Sequence, residues 1–104
     1  MKVLVVPPAA VRDDQSVEML RMWIAEQGLH CSVRVGLYAD QGAERETFAW
    51  GVMLADAVQH LADAMASSGF GAREDILAAI VGGFEAEIAS PTSPRNGAFV
   101  ASAV

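Results

Sequence analysis

Asp56, His60 and Asp63 stand at i, i+4 and i+7. On a helix that spacing gathers two carboxylates and an imidazole on one face. These are donor types that hold a divalent ion such as zinc or manganese, so the three are metal-ligand candidates. A fourth ligand is missing nearby in the sequence. His30 supplies one only if the helix and hairpin faces adjoin, or if it comes from a second subunit. A solvated polar face produces the same pattern, and that reading stands beside the first. Arg21, Trp23, His30, Arg34 and Tyr38 form a second group of ligand-binding candidates. Paired guanidiniums grip a planar anion, and an indole offers a stacking surface for an aromatic carboxylate. The plainer reading is a dimer or third-strand surface, with Trp23 buried and the arginines paired to acids.

His30 and Cys31 are adjacent, which suggests a base beside a nucleophile. Neighbours on a strand point to opposite faces, so the two cannot form a dyad there. Cys31 is expected to be buried and unreactive, a small core hydrophobe. No glycine-rich phosphate loop, no Gly-x-Ser-x-Gly and no paired-cysteine motif occurs in the sequence. No catalytic residue is assigned, and the cofactor is left unknown.

The elements that must position these residues can be read from periodicity. Leu29, Cys31, Val33, Val35 and Leu37 alternate strictly with His30, Ser32, Arg34 and Gly36, the signature of a strand with one buried face. The preceding run, from Val17 to Gln27, leaves no apolar stripe as a helix. As a strand it places Leu20, Met22 and Ile24 on one face and Arg21 and Trp23 on the other. A Gln27-Gly28 turn then pairs Ile24 with Cys31, Met22 with Val33 and Leu20 with Val35. That register also sets Arg21 against Arg34, a repulsive pair. It predicts that Gly28→Val harms folding more than Gly36→Ala.

A helix is expected from about Ala43 to about Ser67, with Glu44 and Glu46 in its first turn, where the helix dipole favours negative charge. Thr47, Gly51, Leu54, Val58, Leu61 and Met65 form its apolar stripe, widened by Phe48, Trp50, Ala55 and Ala62. A second helix is expected from about Ala72 to about Ala89, with Ile76, Leu77, Ile80, Val81, Phe84 and Ile88 as its stripe. Gly82-Gly83 in its middle predicts close packing or a kink. Residues 2–6 are a candidate extra strand, ended by Pro7-Pro8, which sets an extended path. Residues 11–15 read as a polar loop. Residues 90–104 read as a flexible tail, within which the apolar residues 98–104 are able to dock.

The 104 residues are 53% hydrophobic with a net charge of −6, which predicts one modest domain, residues 1–89. An acidic chain is a poor partner for nucleic acid or anionic membranes. The apolar run before Pro7 is too short for a signal peptide, and no stretch approaches the ~20 apolar residues of a membrane span. A single cysteine suits a reducing compartment, so a cytoplasmic location is expected.

Arg21-x-Trp-Ile-Ala25, Gly28-Leu-His-Cys-Ser32, Ala49-Trp-Gly51, Leu54-Ala-Asp56 and His60-x-Ala62 together resemble a bacterial family known only as a domain of unknown function, numbered 5076. The resemblance covers roughly residues 16–66, and the second helix more loosely. It implies a small bacterial protein and brings no activity, cofactor or catalytic residue.

The expected fold is α+β in two layers: an antiparallel β-hairpin, with residues 2–6 as its candidate extension, packed against two α-helices. A lone hairpin is marginal in water, and the segment from Val17 to Tyr38 has no lysine or proline to blunt its edges. A homodimer is therefore expected, with Trp23 in or beside the interface. The leading functional reading is a non-enzymatic binding or protein-interaction domain, with a small anionic ligand or a protein as partner. The alternative is a small metal- or anion-dependent enzyme using His60 and Asp56.

Overall fold

The structure, a computed structural model, describes residues 1–101. The fold is α+β, with a three-stranded mixed sheet and two long helices. The elements in chain order are α1 (Pro8–Arg12), β1 (Leu20–Ala25), β2 (Gly28–Val35), α2 (Ala43–Ser67), α3 (Arg73–Ala89) and β3 (Asn96–Ala101).

The prolines that forbid a strand past Val6 also start a helix. Pro8 sits in the first turn of α1, where its missing N–H would have had no partner anyway. Part of the expected polar loop is therefore helical. The hydroxyl of Ser16 donates to the Ala10 carbonyl at 2.8 Å and fastens α1 to the approach of β1. Residues 2–6 form no strand in this chain.

The hairpin forms, in a register two residues from the expected one. Leu20 faces Val33, Met22 faces Cys31, and Ile24 faces Leu29. The turn is Glu26-Gln27, both at positive φ (50° and 63°), and Gly28 is the first residue of β2. Two left-handed residues in a two-residue loop match the twist of the flanking strands. A slip of two keeps every side chain on its expected face. The apolar residues again meet apolar residues, so pattern alone does not separate the two registers. Arg21 is opposite Ser32, and the expected Arg21–Arg34 opposition does not exist.

The sheet is completed from an unexpected place. Residues 96–101, expected in a flexible tail, form β3 parallel to β2, with Val33 beside Phe99 and Val35 beside Ala101. Parallel neighbours need a long crossover, which α2 and α3 supply. Gly97 lies beside Cys31 at φ 131°, and a Cβ there would run into the Cys31 backbone. Only glycine fits this approach. Residues 102–104, the rest of the segment expected to dock, lie outside the described residues.

α2 matches its expected bounds, and α3 starts one residue later than expected. The two pack on each other across the break at Ser68–Ala72. Ala62 of α2 and Ile76 of α3 are the buried hydrophobics among the described residues. Of the expected α2 stripe, Phe48, Leu54 and Leu61 are exposed and Trp50, Val58 and Met65 are half-buried; Ala49 and Met53, outside that stripe, are half-buried as well. α3 runs unbroken through Gly82-Gly83, and nothing lies within 4 Å of where a Cβ would sit at either. The expected close packing is absent within the chain.

Candidate functional site

Alternation in β1 and β2 puts Met22, Leu29 and Cys31 on the same face of the sheet. Ile80, Phe84 and Ile88, spaced by four, lie along one side of α3. These two apolar sets face each other across a cleft of ≈580 Å³, closed at one end by the Pro91–Asn96 connection. Asn96 pins that end, its side-chain amide donating to the Leu29 carbonyl at 3.4 Å. At the rim, Glu87 accepts from the Thr92 amide at 2.7 Å and from the Thr92 hydroxyl at 2.8 Å. Those hydrogen bonds, the backbone one foremost, hold the Glu87 carboxyl below the usual glutamate range.

The cleft is unfilled at the level of packing. Met22 is 61% exposed, Phe84 46% and Ile88 70%. Side chains of this size on facing walls normally meet. Cys31 lines the cleft and is half-buried, so the expected full burial is corrected: the second wall stands too far off to cover it.

Of the five residues expected to bind an anion, four share the sheet face away from the cleft. Trp23 and His30 are directly paired across the hairpin on the opposite face, with Arg21 and Arg34 on that face. Both guanidiniums have partners. Arg21 donates Nε and Nη2 to the Glu18 carboxylate, both at 2.8 Å. Arg34 donates Nε to the Glu18 main-chain carbonyl at 3.3 Å. The Arg21 hydrogen bond lowers the Glu18 carboxyl and raises the Arg21 guanidinium. Tyr38 is beyond the end of β2, its amide held by Glu46, and does not join the others.

The expected metal ligands also divide. His60 Nε2 lies 3.4 Å from Asp56 Oδ2, both side chains well exposed. Asp63 pairs with Arg73 instead, which also reaches Gln59. The arginine at the start of α3 takes the second carboxylate out of the set. Among the described residues no group of three or more His, Cys, Asp or Glu side chains is gathered to hold a metal ion.

Glu46 has a role that the sequence reading missed. Its carboxylate accepts from the Gly36 amide at 2.9 Å and the Tyr38 amide at 2.8 Å, clamping the end of β2 to the first turn of α2. These backbone bonds, that of Gly36 foremost, hold its carboxyl below the usual range, and the nearby Trp50 indole adds to the pull. Trp50 Nε1 is nevertheless buried without a partner in hydrogen-bonding geometry. Position in the first helical turn was the one signal for Glu46, and it points only to a dipole interaction.

The family model of a domain of unknown function, DUF5076, matches residues 3–92. The chain belongs to this family. The match takes in the hairpin, both long helices and the α3 wall of the cleft. A solved structure from the photosynthetic bacterium Rhodopseudomonas palustrus CGA009, provisionally named a pyruvate dehydrogenase, is similar to this DUF5076 chain. It is 26% identical, the match covers 90% of each chain, and the TM-score is 0.65. No curated protein matches. No helix among the described residues is long and apolar enough to cross a membrane.

Proposed function

We propose that this chain is a non-enzymatic interaction domain that works as a homodimer, its cleft and exposed sheet face meeting a second copy. The observation that carries this reading is surface area. A folded monomer of 11.0 kDa is expected to expose about 5,600 Å², and this chain exposes 8376 Å². The excess, roughly 2,800 Å² per chain or about 5,600 Å² for two, lies at the upper end of what obligate dimers bury in total. The radius of gyration, 15.6 Å, also exceeds the ~13 Å of a compact chain of this length.

The chemistry of the surplus surface supports a like partner. The walls of the cleft are apolar on both sides, so a second apolar surface fills them without stranding polar groups. Gly83 lies in the cleft wall with nothing within 4 Å of where a Cβ would sit, an arrangement that lets another backbone approach. The two arginines on the far face are already occupied by Glu18, which favours interaction over anion capture.

The test is the concentration dependence of thermal unfolding. A dimer coupled to folding melts at higher temperature as protein concentration rises, by mass action. Between about 1 and 100 μM the midpoint should climb by several degrees. A midpoint unchanged across that range contradicts the reading.

A further inference from the structure

The segment Lys2–Val6 is apolar after its lysine, and it is exposed: Leu4 is 91% and Val5 89% accessible. It is neither helix nor strand, and none of its backbone groups has a hydrogen-bond partner among the described residues. It nonetheless lies near β1. A cleft of ≈590 Å³ has residues 2–6 on one side and Leu20, Arg21, Met22 and Trp23 on the other.

Successive strand residues point to opposite faces. A cleft touched by four consecutive residues of β1 therefore runs along the edge of that strand, not over a face. β1 is an outer strand, and its N–H and C=O groups on that side have no neighbour in the sheet. The edge carries no lysine and no proline to discourage pairing.

We infer that this cleft receives residues 2–6 of a second copy as an added strand, an inference that rests on the dimer reading above. The exchange is reciprocal, as a two-fold axis requires. Each arm lies between its partner's β1 and its partner's arm, and the two arms run antiparallel at the axis. The result is one continuous sheet, in the order β3, β2, β1, partner's arm, arm, then the partner's β1, β2 and β3. Val3 to Val6 are β-branched or apolar residues suited to a central strand. The pairing satisfies the open backbone groups of both arm and edge.

Amide hydrogen exchange on the full chain tests the inference, with mass by light scattering on the same samples. The arm amides of residues 3–6 should be protected at about 100 μM and lose protection on dilution below the dissociation constant. Val5→Pro, which removes one donor, should weaken the dimer by about tenfold. A dimer whose arm amides exchange as fast as unstructured peptide overturns the exchange and leaves the dimer standing. A monomer at that concentration overturns both.

Discussion

At the residue scale, two positions hold the sheet where it is. Gly97 lets β3 lie against the Cys31 backbone, and Gly36, at φ 103°, turns the chain out of β2. Gly97→Ala should destabilise the protein by about 1–3 kcal/mol through backbone strain or loss of β3. Gly28→Val should do less harm, because Gly28 is not at positive φ and has only ordinary contacts around it. Chemical denaturation of the variants checks the order; Gly36→Ala, at positive φ, should also harm more than Gly28→Val, the reverse of what the Gln27-Gly28 turn implied. Gly97 does not announce its role in the sequence, since the role depends on Cys31 in a strand some sixty residues away.

Glu46 gives a prediction in pH. Its folded pKa lies below the ordinary value of 4.5, so its clamp on Gly36 and Tyr38 contributes fully above that value. The contribution is lost as pH falls through the lowered folded value. Glu46→Gln should therefore melt lower than the parent near neutral pH, and the gap should narrow below about pH 4.5. A gap that stays constant down to pH 3, about a unit and a half lower, would mean that the charge is not what holds the loop. Glu18 and Glu87 are shifted in the same direction, so the parent as a whole should lose stability over the same acidic window.

At the element scale, local pattern was enough for the two long helices and the hairpin faces. α2 occupies Ala43–Ser67 as its periodicity and acidic first turn indicate. The alternation Leu29, Cys31, Val33, Val35 places the sheet face that lines the cleft. The register was not legible, because a two-residue shift leaves apolar against apolar and only the turn decides. The turn chosen puts Glu26 and Gln27 in the left-handed region, where side chains cost about 1–2 kcal/mol each. Gln27→Gly should therefore raise stability by about 1 kcal/mol, measured as a shift of the denaturation midpoint at constant slope. β3 was hidden for another reason. Pro91 and Pro94 mark a loop, and a parallel pairing that closes over α2 and α3 leaves no local trace. The candidate metal set divides for a related reason: helix spacing aligned Asp63 with His60, but the partner that pairs with it, Arg73, belongs to the next helix.

At the scale of the whole molecule, the chain forms its elements without closing a core. Among the described residues Ala62 and Ile76 are the buried hydrophobics, while Met22, Phe84 and Ile88 stand open around the cleft and Ile24 and Phe99 are exposed elsewhere on the sheet. Hydrophobic burial is the main favourable contribution to folding, and so few buried side chains offset little of the conformational entropy lost. In the proposed dimer a second copy would supply the missing surface. The apolar residues that look like an incomplete core in one chain would then become the interior of two. The same account explains why α3 keeps Gly82-Gly83, which cost roughly 1 kcal/mol each relative to alanine and touch nothing within the chain. The most direct measurement is the mass in solution, by light scattering after size exclusion at about 100 μM, well above a ~1 μM dissociation constant. The account predicts twice the chain mass of 11.0 kDa. A single species at 11.0 kDa, folded and stable at that concentration, would contradict it.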